Sequence, residues 1–210
     1  NLDAVIGSGV WRTTNGGVSW SRLGSTTGSS FNYINKIAVH PTNHKVYVAT
    51  KNGIYISSNA GSTFTNIGYS GKNVSDIEIA YNGRVHIGIG DYFTTREYHY
   101  TDNDGSTWDP TATNFNTIVT GGRRVELAIA PSNNATLYAL VGTTGAIQGI
   151  FKSTNSGITW AATGSTAWFD QNCSSSSTDF TRTQSWYDLA IAVNPGDENH
   201  VMIGGVDILK

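Results

Sequence analysis

The sequence predicts an all-β chain built from repeated antiparallel sheets. Three observations support this: one eight-residue pattern occurs four times, its copies are almost evenly spaced, and each copy lies between short apolar or aromatic runs. The glycines of successive copies are 44, 44 and 52 residues apart, and a period of this length is typical of repeat architectures. Short apolar runs that flank a turn pattern are typical of β-hairpins.

Each part of the pattern suits a tight turn between two strands. The Asn can bond to backbone amides two residues on, the Gly adopts a positive φ without steric cost, and the hydroxyl groups offer further short-range bonds. The closing aromatic residue begins the next strand, where it can fill space between neighbouring units. The Asn, Gly and aromatic positions of the four copies are Asn15, Gly17 and Trp20, then Asn59, Gly61 and Phe64, then Asn103, Gly105 and Trp108, and finally Asn155, Gly157 and Trp160.

The pattern resembles the Asp-box, or BNR, repeat of sialidase-type β-propellers. Xyloglucan-cleaving glycosidases, sortilin-type receptor propellers and photosystem assembly propellers share that repeat. The strands between the copies also repeat, as in residues 34–41, 74–80, 125–131 and 186–195, so the resemblance spans the whole chain. The last of these segments also resembles large secreted surface proteins of Bacteroidetes-type bacteria. The resemblance implies a β-propeller of four-stranded antiparallel blades, and it identifies a fold more than an activity.

The strand pattern predicts three whole blades and two partial ones. The whole blades are expected at residues 31–68, 74–113 and 123–165, the partial blades at 3–23 and 186–210, and a long loop at 161–185. Propellers have 4–8 blades, and these pieces do not close a ring. We therefore expect the chain to be part of one propeller whose other blades lie on a longer chain or on a partner chain. The alternative is a complete small domain with irregular ends.

Composition excludes several functions. Only 13% of the residues are charged, the net charge is −2, and the basic pair Arg123-Arg124 is isolated, whereas nucleic-acid-binding proteins usually carry a basic stripe. No apolar run approaches the roughly 20 residues of a membrane span. The single cysteine, Cys173, rules out a disulfide within this sequence. We expect no metal or cofactor. The richness in Ser, Thr, Asn and Gly is common in exported bacterial proteins, so a secreted or cell-surface location is expected.

Blade connectivity places the candidate binding residues on one face. Connections from fourth to first strands and from second to third strands lie around the mouth of the central channel, where ligands of this fold usually bind. Loops longer than about 12–15 residues tend to be functional or disordered. The predicted ligand contacts come from the long loop, from the connection at residues 90–98 and from the start of the last partial blade: Trp168, Phe169, Tyr92, Arg96, Trp186 and Tyr187.

A ring of charged residues is expected near the channel. Lys36, Asp76, Glu126 and Asp188 occupy equivalent places at the starts of the innermost strands. Buried charge is costly without a partner or water, so their mixed signs indicate a solvated channel with internal ion pairs more than a catalytic pair.

Two functions remain open from the sequence. The first is a recognition or scaffold propeller that binds glycan or protein through the long-loop face. The alternative is a polysaccharide-cleaving glycoside hydrolase, which needs two carboxylates roughly 5–9.5 Å apart; weak candidates are Asp76, Asp91 and Asp188. Its catalytic carboxylates could also lie on other blades. The Arg-Ile-Pro signature of sialidases is absent, so sialidase activity is not expected.

Overall fold

A computed structural model describes residues 5–91, 96–109, 111–164, 180–205 and 208–209. The described residues form five antiparallel sheets in chain order. The first sheet pairs β1 (Trp11–Arg12) with β2 (Ser21–Arg22), and the second contains β3 (Ile34–Val39), β4 (Val46–Thr50), β5 (Gly53–Ser57) and β6 (Thr65–Gly68). The third contains β7 (Val74–Ile79), β8 (Val85–Ile89) and β9 (Glu97–Thr101).

The fourth and fifth sheets continue the series. The fourth contains β10 (Arg124–Ala130), β11 (Asn133–Gly142), β12 (Ile147–Ser153) and β13 (Ala161–Ala162); the fifth contains β14 (Ala190–Asn194), β15 (Asp197–Gly204) and β16 (Ile208–Leu209). Helix is confined to α1 (Phe115–Ile118) and two 3-10 turns, Gly24–Thr26 and Ser29–Phe31, within the part of the chain described.

The sheets are arranged as the blades of a β-propeller. Within each sheet the strands pair in chain order, which is the up-and-down arrangement of a blade. The first strands of successive sheets are neighbours: β3 lies beside β7, β7 beside β10, and β10 beside β14. These strands therefore face a common axis. Within the described ranges the sheets do not close a ring.

The central strands are almost wholly apolar because sheets cover both of their faces. β8 and the residues from Leu137 to Val141 are buried throughout, as is typical of strands covered on both faces. The largest core cluster lies between the third and fourth sheets, where Tyr98 and Phe115 pack against Trp160. Blade-to-blade packing thus supplies most of the hydrophobic burial.

In the part of the chain described, one whole blade has fewer than the four strands that the sequence led us to expect, and the first partial blade has two. In the blade expected at 74–113, the described residues form three strands, because Asp109 adopts a positive φ of 49° and its own bonds take the place of pairing with a fourth strand. Its backbone N–H and its side chain both bond to Tyr100. In the partial blade expected at 3–23, residues 5–10 form no strand; Gly7 instead donates to the carbonyl of Asn32.

The four repeated turns share one hydrogen-bond pattern. In each turn the Asn Oδ1 accepts from the backbone N–H four residues on, and its Nδ2 donates to that residue's hydroxyl, as Asn59 does to Thr63. The Gly N–H donates to the first hydroxyl, as Gly61 does to Ser57. The Gly φ values lie between 82° and 93°, which is the conformation that requires glycine.

No helix among the described residues is long and apolar enough to cross a membrane.

Candidate functional site

A cleft of about 380 Å³ opens at the mouth of the channel. Residues at or just before the starts of β3, β7, β10 and β14 line it, together with residues that follow β4 and β8. These are the fourth-to-first and second-to-third connections, the face on which the sequence predicted a site. The lining residues that carry aromatic, amide or charged groups are Phe31, Asn32, Tyr33, Asn35, Lys51, Asn73, Asp91, Arg124, Trp186 and Tyr187. A concave site with a few converging polar groups is the usual form of a ligand site.

Aromatic side chains lie on two sides of the cleft. Trp186 and Tyr187 form a tilted pair with ring centroids 5.6 Å apart, and the Tyr187 side chain is 56% exposed. On the β3 side, the Lys51 ammonium lies 5.3 Å from the ring centre of Tyr33. Lys51 has no ion pair with any described residue. The cleft thus offers flat apolar surface beside a cation.

Asparagine side chains fix the floor of the cleft. Asn35 Nδ2 donates to Asn73 Oδ1 at 2.9 Å and to the Val74 carbonyl at 2.7 Å. Asn73 Nδ2 in turn donates to the Gly90 carbonyl at 2.8 Å. These bonds connect the second sheet to the third through side chains that line the site, so the floor is held in one geometry before any ligand binds.

Three residues of the predicted charged ring, Lys36, Asp76 and Glu126, form ion pairs. Lys36 Nζ lies 2.6 Å from Asp76 Oδ1 and 2.6 Å from Glu78 Oε1, while Arg124 Nη2 lies 2.7 Å from Glu126 Oε1. Burial lowers the pKa of Lys36, but the carboxylates of Asp76 and Glu78 outweigh burial and raise it overall. Lys36 is therefore charged throughout the physiological range.

Asp76 is held by the fold on both oxygens. Its side chain is 1% exposed; Oδ1 accepts from the backbone N–H of Ile77 at 2.8 Å, and Oδ2 accepts from that of Leu127 at 2.7 Å. Because Leu127 belongs to β10, Asp76 joins the third and fourth sheets. A carboxylate bonded in this way is a structural link, and Asp76 is not among the residues that line the cleft.

Glu126 lies next to Asp76 and holds its proton more tightly than an ordinary glutamate does. Burial, followed by the negative charge of Asp76, raises the pKa of Glu126 to about 8, although Arg124 opposes the shift. Its side chain is 14% exposed. Glu126 thus carries a proton over much of the neutral range while sharing a hydrogen bond with Arg124, a residue of the cleft wall.

The structure brings some of the sequence-predicted residues together and not others. Asp91, Trp186 and Tyr187 line the cleft. Arg96 does not line it; its guanidinium donates to the Asn116 carbonyl in α1. Asp188 does not line it either, and its backbone N–H bonds to Gln184. The remaining predicted contacts lie outside the described residues: Tyr92, Trp168 and Phe169.

The aromatic, amide and charged lining residues that sequence reasoning missed are Phe31, Asn32, Tyr33, Asn35, Lys51, Asn73 and Arg124. Six of them lie at or shortly before the starts of innermost strands, and Lys51 occupies a second-to-third strand connection. Residues 90–98 were selected because second-to-third strand connections lie at the mouth of the channel. The same reasoning, applied to the short connections, would have selected these residues too.

A second polar cluster joins the second and third sheets. Lys72 donates two 2.7 Å bonds to Glu97, and the two ring nitrogens of His99 lie against Glu97 and Asp109. The Tyr69 ring packs 4.6 Å from the His99 ring. Burial raises the pKa of Glu97, but the hydrogen bonds from Lys72 and His99 outweigh it, so the pKa is lowered overall. These partners are mutually satisfied, which is typical of a sheet-joining cluster.

No protein-family model matches the chain, and no curated protein matches it. Solved structures do match. An ancestral GH74 enzyme is 24% identical over 93% of this chain and 24% of that chain, with a TM-score of 0.66. The GH74 xyloglucanase from Xanthomonas campestris is 17% identical over 96% and 33%, with a TM-score of 0.71.

A structure described as the extracellular domain of a one-component system from B. thetaiotaomicron also matches. It is 13% identical over 96% of this chain and 24% of that chain, with a TM-score of 0.57. This chain therefore spans about a quarter to a third of the length of these three proteins. Identities this low show the fold alone, and the predicted β-propeller is confirmed.

Proposed function

We propose that this chain belongs to an Asp-box propeller that works outside the cell or at a bacterial cell surface and binds a glycan through the channel-mouth cleft. The observation that carries the proposal is the lining: the rings of Tyr33, Trp186 and Tyr187 stand beside amide groups and the Lys51 ammonium. Aromatic faces pack on the C–H faces of sugar rings, while amides and charged groups bind hydroxyl groups and fix orientation.

The held floor of the cleft supports a binding role. Asn35 and Asn73 are bonded to each other and to backbone carbonyls, so a ligand need not order them. A preorganised site loses less conformational freedom when it binds. The described extracellular location of the B. thetaiotaomicron domain supports an exported setting for this fold.

Binding can be tested by pairing a cleft variant with a matched surface variant. Tyr187→Ala removes a 56% exposed ring from the cleft, while Tyr81→Ala removes a 72% exposed ring from the turn between β7 and β8, away from the cleft. Affinity for a panel of plant and bacterial polysaccharides is measured by affinity electrophoresis. We expect Tyr187→Ala to weaken binding of any retained glycan about tenfold, equivalent to ~1.4 kcal/mol, and Tyr81→Ala to leave it unchanged. Equal effects, or no binding to any glycan, would contradict the proposal.

A glycoside hydrolase is the second candidate, favoured by one observation. Asp91 lines the cleft, and burial raises the pKa of Glu126, which accepts a hydrogen bond from the cleft residue Arg124, in the direction that a general acid needs. Both GH74 neighbours are compatible with this reading. Release of reducing sugar from xyloglucan that Asp91→Asn or Glu126→Gln abolishes would establish it. Glycan binding without release would leave recognition as the function.

A further inference from the structure

The first sheet exposes the surface that every other blade junction in this protein covers. Val18 and Trp20 are 86% and 59% exposed, and no atom of the described residues lies within 4 Å of a Cβ placed on Gly17. The turn itself is formed as in the other copies: Gly17 donates to Thr13, and Asn15 bonds to Ser19. The turn is therefore complete, and only its neighbour differs.

In the other three copies the glycine rests on the sheet before it. A Cβ on Gly61 would lie 2.5 Å from Leu23, one on Gly105 would lie 2.9 Å from Ile67, and one on Gly157 would lie 1.7 Å from the Tyr98 hydroxyl. Each glycine thus has two roles: its backbone adopts a positive φ, and its missing side chain lets the neighbouring blade approach.

The two tryptophans that close the third and fourth turns also pack on the preceding sheet. Trp108 Nε1 donates to the Ile67 carbonyl of the preceding sheet at 2.9 Å. Trp160 is 4% exposed and packs 4.9 Å from the Tyr98 ring. Trp20 holds the equivalent position in the first turn and remains exposed.

A basic side chain from the preceding sheet completes these junctions. Arg12 Nη1 donates to the Ala60 carbonyl, and Arg84 Nη1 donates to the Ser156 carbonyl at 2.8 Å. Lys45 pairs with the Asp104 carboxylate. In every case the acceptor is the residue just before the turn glycine. Gly16 is the equivalent residue of the first turn.

We propose that the face formed by Gly16, Gly17, Val18 and Trp20 docks a further blade of this same repeat type. The occupant must present an apolar side chain over Gly17 and a basic side chain to the Gly16 carbonyl, and it must cover the Trp20 ring. The second sheet presents such a surface to the third through Ile67 and Lys45. The fifth sheet has no fourth strand among the described residues, so a second copy docked end to end would lack this surface. The inference does not depend on the glycan proposal.

The proposal can be tested by fusing a further blade to this chain. A copy of residues 31–68 is joined through a flexible Gly/Ser linker ahead of the full chain, and hydroxyl-radical footprinting measures oxidation at Trp20 with and without the copy. We expect oxidation of Trp20 to fall at least about fivefold, while Tyr81, exposed elsewhere, is unchanged. A matched copy carrying Ile67→Lys should give no protection, because a charged side chain would then lie over Gly17.

Three results would overturn the proposal. Trp20 could be oxidised equally in the fused and unfused chains, or the Ile67→Lys copy could protect it as well as the original copy does. The unfused chain could also dimerise in sedimentation experiments with Trp20 protected, which would assign the face to a second copy. As a check that needs no fused copy, Trp20→Ser in the unfused chain should shift the melting temperature far less than Trp108→Ser. Equal shifts would show that Trp20 is already covered, and the proposal would fail.

Discussion

Replacing Gly157 with alanine should destabilise the protein far more than replacing Gly17. Both glycines have the same left-handed conformation, with φ values of 84° and 93°, so each alanine has the conformational cost of about 1–2 kcal/mol. At Gly157 the new methyl group would also lie 1.7 Å from the Tyr98 hydroxyl. At Gly17 it would meet nothing within 4 Å.

The additional cost at Gly157 has two sources. Relieving the overlap requires the Tyr98 ring to move within a packed cluster that includes Trp160, and overpacking a core costs about 1–3 kcal/mol. Movement of Tyr98 would also break its 2.7 Å hydrogen bond with His86, worth about 1 kcal/mol. We therefore expect Gly157→Ala to lower the free energy of unfolding by about 3–6 kcal/mol and Gly17→Ala by about 1–2 kcal/mol.

Urea unfolding followed by tryptophan fluorescence measures both losses from the shift in midpoint. Tyr98→Phe provides an internal control, because removing the hydroxyl nearest to the new methyl group should recover part of the loss in Gly157→Ala. Equal losses for the two alanine variants, or no recovery with Tyr98→Phe, would refute the argument that the turn glycines serve close approach between blades.

Three further predictions concern single interactions. The pKa of Glu126 is raised to about 8, so the folded state holds the Glu126 proton more tightly than the unfolded state does, and stability should fall as pH rises from about 4.5 to 8. Glu126→Gln should flatten this pH dependence and be more stable than the parent by about 1–3 kcal/mol at pH 9. Urea midpoints that fall in parallel with pH for the parent and the variant would contradict this prediction. Burial raises the pKa of Asp104, but Lys45 and Tyr47 outweigh it and lower the pKa overall, so the stability this group contributes is present at neutral pH and lost as pH falls through its folded pKa. Asp104→Asn should therefore cost about 0.5–1 kcal/mol at pH 7, because solvent screens this partly exposed pair, and little at pH 3, as thermal melts at the two values would show. Trp108→Phe removes the indole donor to the Ile67 carbonyl and should cost about 1 kcal/mol, whereas Trp20→Phe should be neutral in the same denaturation assay.

The repeated turns were predictable from sequence because their interactions are local, although the Asn side chain accepts from the amide four residues on and not from the one two residues on. The Asn, Gly and hydroxyl groups of each copy bond within five residues, as Asn103 and Thr107 do. The positive φ of each turn glycine follows from the same chemistry. Even spacing then fixed the order of the sheets, since consecutive hairpins pair in chain order.

Interactions between blades were not predictable in this way. Gly157 and Tyr98 are far apart in sequence, and nothing in the local pattern around either residue reveals their contact. The loss of a fourth strand at Asp109 depends on one residue with positive φ that sequence propensity did not single out. The cleft combines residues from the starts of four sheets. Asp91, Trp186 and Tyr187 were selected because they lie in conspicuous segments, whereas Tyr33 and Lys51 lie in short connections and were overlooked.

The location of glycan binding tests the central claim most directly. Two-dimensional NMR of the indole N–H groups would follow all six tryptophans during titration with an oligosaccharide selected from the polysaccharide panel. The account predicts that the Trp186 signal shifts with a saturable dependence on oligosaccharide concentration, while the signals of Trp20 and Trp160 stay in place. A saturable shift at Trp20 or Trp160 with Trp186 unmoved would show that the glycan binds elsewhere and would contradict the assignment of the channel-mouth cleft.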